Sequence, residues 1–293
     1  MKPRLQTALL RSVLYVPGSN SKTLAKAPTL DADALILDLE DSVAPEAKAQ
    51  ARSNVLDTLH ATRDAPAQIR VVRINGSHTE LWQDDLITTL PGLPDAVLLS
   101  KVESPDELSG PNEYLHRLEQ DQDFSCSLWA MIESPLGVLN ALAIARHPRV
   151  SCLVMGTSDL SRTLGIPGDP QRIGLRHALQ HTILAAKAAG IRILDGVFVN
   201  IRDPEGMIAE CHDGARLGFD GKTVIHPCQI AAANQAFLPS DAEAAQARLV
   251  LEAWNAARAR GEEICVVDGR LVERLHADQA AQRLARWEAA RKK

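Results

Sequence analysis

Short runs of aliphatic and β-branched residues recur along the chain, and each is followed by a longer stretch in which apolar residues fall three or four apart. This alternation predicts repeated strand-then-helix units built around a parallel sheet. Eight runs are legible: Ser12–Val16, Ala34–Asp38, Ile69–Ile74, Ala96–Val102, Ser127–Glu133, Ser151–Gly156, Ile193–Val199 and Gly221–Ile225. Several of the following helices carry start signals. In "SNSKTLAKA", "SPDEL", "SPLGVLNALAIA" and "DPEGMIAECHDGARLG" a Ser or Asp, in some cases beside Pro, precedes an Ala/Leu-rich run. Eight parallel units in roughly 250 residues is the size of a closed (β/α)8 TIM barrel, an α/β fold. An open doubly wound sheet is the alternative, although it usually needs fewer strands and no G-x-G-x-x-G follows the first run.

Beyond residue 238 the pattern changes to a long Ala/Glu/Arg-rich amphipathic helix, then the short apolar pair "ICVVDGRLVE" with a turn, then another helix. The expected organisation is a barrel domain over 1–238 and a helix-hairpin-helix extension over 239–293. A two-stranded hairpin is not stable alone, so the extension should pack on the barrel mouth or on a neighbouring subunit.

Composition narrows the partners. Of 293 residues 45% are hydrophobic but only 3% aromatic, so the core must rest on aliphatic side chains. The net charge of −5, with no basic block, argues against nucleic acid and for a small soluble substrate. Five scattered cysteines without a C-x-x-C pair read as reduced thiols, which fits a cytoplasmic location. No apolar run approaches the roughly 18 residues of a membrane span, and the N-terminal segment lacks a small-residue cleavage site.

In a (β/α)8 barrel the catalytic groups sit at the C-terminal ends of the strands. Those ends carry Asp38, Glu40 and Asp41; Arg73 and Asn75; Lys101 and Glu103; Glu133; and Asp159. Carboxylates outnumber cations, which suggests a bound divalent ion, and an all-oxygen donor set favours Mg2+ or Mn2+ over zinc. Plainer readings stand beside this one. Glu133 could be an ion-pair partner, Asp159 a helix cap, and Arg73 a counter-ion to Asp38 or Glu40. Asp38 lies too deep to reach solvent easily and reads as a buried hydrogen-bonding group. His226 in "IHP" reads as structural, and Asp268 as a hairpin residue.

Eight segments then fall in register: "RSVLYVPG", "LILDLEDSV", "VRIN", "KVESPDEL", "MIESPLG", "MGTSDLSRTLG", "GFDGKTVIHPCQI" and "VVDGRLVE". In order and spacing they resemble the citrate lyase β-subunit and malyl-CoA lyase family, in the HpcH/HpaI aldolase superfamily, over nearly the whole chain. Ser100 stands where that family has proline. The resemblance implies Glu133 and Asp159 as direct Mg2+ ligands. It also implies Arg73 as the group that binds substrate oxygens and stabilises an enolate, and Glu40 and Asp41 as holders of metal-bound water and of Arg73. Gly156, Thr157 and Lys101 become substrate-binding positions. Asp268 corresponds to an aspartate that closes over a neighbouring subunit's site to move a proton.

The chemistry so implied is reversible Claisen-type cleavage. A 3-hydroxyacyl-CoA of malyl, methylmalyl or citramalyl type splits to an acyl-CoA such as acetyl-CoA and a 2-oxo acid, in a homo-oligomer, trimer or hexamer. Three alternatives keep the same residues: a citryl-thioester-cleaving subunit of a citrate lyase complex, a thioester hydrolase, and an aldolase acting on free oxo acids. CoA recognition would rest on scattered basic residues such as Arg11, Lys22 or Arg172.

Overall fold

Each of the eight apolar runs forms a strand, and the strands close into a ring. The computed structural model describes residues 8–63, 68–121 and 124–291. Strands β1 (Ser12–Pro17), β2 (Ala34–Asp38), β3 (Ile69–Ile74), β4 (Ala96–Leu99), β5 (Ser127–Ile132), β6 (Val150–Met155), β7 (Arg192–Asp195) and β8 (Gly221–Val224) follow one another around a closed barrel. All neighbouring pairs are parallel, and β1 closes on β8 through Ser12 opposite Lys222 and Val13 opposite Thr223. The closed (β/α)8 arrangement therefore holds, and the open sheet does not.

β5, β6 and β8 end one residue before their apolar runs, and β4 and β7 end three or more residues before theirs. β4 stops at Leu99 because Lys101 takes a left-handed backbone, φ 56°, through which a strand cannot continue. β7 stops at Asp195, and Val197 and Val199 leave the sheet to line cavities at the mouth.

Side-chain alternation then builds the site. Val13 on β1, Ile36 on β2, Val71 on β3, Leu98 on β4, Met131 on β5 and Val154 on β6 share one apolar cluster. Two positions further along, within β1, β2 and β3 and just past the ends of β4, β5 and β6, stand Tyr15, Asp38, Arg73, Ser100, Glu133 and Gly156. The face that is aliphatic for the lower layers becomes polar at the rim. The register fixes one partner directly, since Asp38 lies opposite Arg73 across β2 and β3.

The start signals are used as chemistry predicts. Asn20 caps Ser21–Lys26 by accepting from the Thr23 N–H, and Ser134 caps Pro135–Leu139 by accepting from Gly137. Asp203 caps Pro204–Leu217, which ends at Gly218 with φ 109°. The "SPDEL" segment forms a 3-10 turn, Pro105–Leu108, before the helix Ser109–Asp121. "SPLGVLNALAIA" is two short helices, Pro135–Leu139 and Ala141–Ala145.

The chain divides into two compact units, Met1–Asn234 and Gln235–Lys293. In the second, a capping box between Ser240 and Glu243 starts the helix Asp241–Ala259. An antiparallel hairpin follows, β9 (Cys265–Val267) and β10 (Arg270–Val272), then the helix Arg274–Arg291. Asp268 and Gly269 at the hairpin tip both have positive φ, 50° and 73°, as a tight two-residue turn requires. Trp254, Val272 and Ala277 form the small core of this unit. All five cysteines are free. Among the described residues no helix is long and apolar enough to cross a membrane.

Candidate active site

The barrel mouth holds a cavity of about 420 Å3 that is charged on two opposite sides. One side comes from β2 and β3. Arg73 donates from Nε and Nη2 to Asp38 Oδ1 and Oδ2, both at 2.6 Å, a bidentate fork that fixes the guanidinium plane. Arg73 Nη1 lies 3.0 Å from Glu40 Oε2, and the guanidinium carbon sits 4.8 Å from the centre of the Tyr15 ring. Asp38 also accepts from the backbone N–H groups of Glu40 and Ser42. Burial alone would raise the Asp38 pKa, but the charge and fork of Arg73 outweigh it and hold the carboxyl below its ordinary value. Burial likewise disfavours the Arg73 cation, and Asp38 reverses that, holding the group charged. Arg73 is thus counter-ion to both Asp38 and Glu40 while it lines the cavity.

The other side comes from β5 and β6. Glu133, just past the end of β5, is only 6% exposed, and Asp159 sits in the first turn of the helix Thr157–Leu164 that follows β6. No Lys or Arg side chain is ion-paired with Glu133 among the described residues; its Oε1 accepts the backbone N–H of Lys101 at 2.7 Å. Burial, then the charge of Glu40, pushes the Glu133 pKa up to about 8, with Asp159 adding to the rise. Among the described residues Asp159 has one ion pair, an exposed i,i+3 contact with Arg162 Nη2 at 3.0 Å. The two carboxylates therefore share a pocket without enough positive charge.

Gly156 makes their proximity possible. A Cβ there would lie 2.3 Å from Glu133 Cβ and 2.6 Å from its Oε2. Thr157, the next residue, is buried and lines the same cavity.

Lys101 bridges the two sides. Its Nζ donates to Glu40 Oε1 at 2.7 Å and lies 3.6 Å from Asp41 Oδ1, while its backbone holds Glu133. It also lines a smaller recess of about 290 Å3 behind Glu133 and Asp159, with His78 and Arg162. Asp41 is exposed and its ion-pair partner is Lys101, whereas Glu40 is the residue that meets Arg73. Asp268 belongs to the second unit, where its Oδ2 accepts from Gln246 Nε2 at 3.0 Å.

Other candidates find internal partners. His226 caps a short turn by accepting the Cys228 N–H. Arg11 forks onto Asp33, and Arg172 bonds Asp195 and Asp213, so both buried guanidinium groups are engaged in ion pairs within the fold, with Arg172 Nε left without a hydrogen-bond partner among the described residues. Tyr15 was missing from the sequence candidates, although its place two residues beyond the inward-facing Val13 marks it.

The donor chemistry suits a hard cation. Glu133 and Asp159 offer oxygen only, and among the described residues no group of three or more His, Cys, Asp or Glu side chains could hold a metal unaided. A Mg2+ ion characteristically takes one or two carboxylates and completes its shell with water and substrate oxygens.

Residues 11–227 match the family described as HpcH/HpaI aldolase/citrate lyase. The chain is 43% identical over 279 residues to a (3S)-malyl-CoA thioesterase of Cereibacter sphaeroides, an alignment covering 95% of each protein. It is 34% identical to an L-malyl-CoA/beta-methylmalyl-CoA lyase of the same species, covering 90% of each. Among solved structures, the protein CitE of Mycobacterium tuberculosis, crystallised with magnesium, acetoacetate and coenzyme A, superposes with a TM-score of 0.75 at 30% identity. That superposition covers 97% of this chain and 99% of the other.

Proposed function

This chain belongs to the HpcH/HpaI aldolase/citrate lyase family, and on that premise we propose that it is a Mg2+-dependent lyase. Its substrate is a 3-hydroxyacyl-CoA of malyl, methylmalyl or citramalyl type, cleaved to an acyl-CoA and a 2-oxo acid. One observation carries the reading: two under-neutralised carboxylates, Glu133 and Asp159, face a rigidly held guanidinium, Arg73, across a single cavity. The comparison with CitE supports it, since that protein was crystallised with magnesium and the donor set here is all oxygen.

Glu133 and Asp159 would hold the ion, with Mn2+ as a substitute; when bound, it supplies Lewis-acid polarisation of the substrate's oxygens. Arg73 binds the thioester-end oxygen and stabilises the negative charge that develops there. Its plane is set in advance by Asp38 and Glu40, so little reorganisation accompanies the reaction. Glu40 orients Arg73, and with Asp41 beside it would hold water that completes the ion's shell. Gly156 and Thr157 form the wall against which the oxo-acid end rests, and the partly exposed Lys101 ammonium meets substrate at the rim. Asp268 moves the hydroxyl proton, presented from a neighbouring copy in a homo-oligomer.

Hydrolysis is the second reading, favoured by the 43% identity to a malyl-CoA thioesterase. The test is the purified chain with a panel of 3-hydroxyacyl-CoA thioesters, with Mg2+ and with EDTA, reading 2-oxo acid and free thiol separately. Oxo acid without thiol supports the lyase. Free CoA with intact hydroxy acid shows the hydrolase, and no turnover with no metal binding removes both.

A further inference from the structure

Four described non-glycine residues have positive φ, and Lys101 (φ 56°) is the one that touches the carboxylates of the site. An L-residue adopts that conformation at a cost and keeps it only where its surroundings over-determine it. Here they do. On one side Ser100 Oγ donates to the Ile74 carbonyl at 3.0 Å, and on the other the Val102 N–H donates to the Met131 carbonyl at 3.2 Å. Between them the left-handed turn swings the Lys101 N–H onto Glu133 Oε1. A Cβ on Gly156 would lie 2.6 Å from Glu133 Oε2, so the missing side chain leaves that oxygen its room while Oε1 is the one held by the Lys101 N–H.

We propose that Lys101 is a positioning residue that acts through its backbone. The left-handed turn fixes the rotation of the Glu133 carboxylate and so sets the strength of the metal site, independently of the ammonium on Glu40. This rests on the reading of Glu133 as a metal ligand.

Backbone and side chain can be separated, because the bond to Glu133 belongs to one and the bond to Glu40 to the other. Lys101→Gly and Lys101→Asn lose the ammonium but accept positive φ. Lys101→Val loses the same ammonium and opposes positive φ, being β-branched, with Lys101→Ala between. Differences among the Gly, Ala and Val substitutions, none of which carries a polar side chain, report the backbone.

Mg2+ affinity is measured by titration calorimetry on the full chain, with thermal unfolding of each variant alongside. The Gly and Asn substitutions should bind within about threefold of each other, and Val on the order of tenfold more weakly, with Ala intermediate. Should the Val substitution fail to fold, the Gly-to-Ala ratio carries the same information. Equal affinity across Gly, Ala and any folded Val variant overturns the proposal while leaving Glu133 as a ligand. No Mg2+ binding by the unsubstituted chain overturns the reading of Glu133 and this inference with it.

Discussion

The two sides of the cavity solve the same problem in opposite ways. On β2 and β3 the buried carboxylate Asp38 has a bidentate cation and two backbone donors, and its pKa is held down. Just past β5 the likewise buried Glu133 has one backbone donor and two acidic neighbours, and its pKa is pushed up to about 8. Burial acts in the same direction on both. The difference lies in the counter-charge, so the first side is complete as folded and the second is built to be completed by something positive.

Breaking the complete side should do the most damage. Arg73→Met leaves Asp38 and Glu40 buried without their cation, and removing one partner of such a pair typically costs about 3–5 kcal/mol. Urea unfolding should show that loss, with turnover abolished; a variant as stable as the parent would mean the fork contributes nothing. Glu133→Gln attacks the incomplete side and should leave stability unchanged or raised at neutral pH, because it removes a poorly compensated carboxylate. Its effect falls on Mg2+ affinity and turnover. A lost direct ligand should cost more than the roughly 10–100-fold typical of outer partners.

The same contrast sets the pH dependence. Glu133 keeps its proton in the folded chain up to about 8 but loses it near 4.5 when unfolded, so the native state binds more protons between those values. Without metal, stability should therefore fall as pH rises from about 5 to 8, by up to about 1.4 kcal/mol per unit from this group. Asp38 has the opposite sign. Its depressed pKa contributes stability that is present above its ordinary value and lost as pH falls below it. Denaturation in EDTA at several pH values should show the downward slope in the parent and its absence in Glu133→Gln. A flat parent profile would show that the folded chain does not raise the Glu133 pKa.

Much of this architecture is legible in the sequence because strand alternation is a local signal. The inward parity of Val13, Ile36, Val71 and Met131 places Asp38, Arg73 and Glu133 at one rim. Pairings were harder. Arg73 could be assigned to Asp38 or Glu40, and it meets both, since the answer depends on the register between β2 and β3. Arg11 and Arg172 read as candidates for CoA recognition because their partners, Asp33 and Asp195, lie 22 and 23 residues away and meet them only once the next strand has docked. The turn at Lys101 left no trace: without a glycine to mark positive φ, "AVLLSKV" reads as one strand.

The smallest effect tests whether Asp159 is really on the incomplete side. Its one ionic partner among the described residues, Arg162, is 75% exposed at its side chain and one helical turn away, so the contact is a surface pair of about 0.2–1 kcal/mol. A cation binding Asp159 must compete with that guanidinium. Arg162→Gln should therefore tighten Mg2+ binding by only about two- to fivefold, with thermal stability nearly unchanged, and high salt should shrink the gain by screening the exposed pair. Weaker binding after this substitution would place Arg162 as a support that Asp159 needs in order to hold the ion, and Asp159 would then resemble Asp38 more than Glu133.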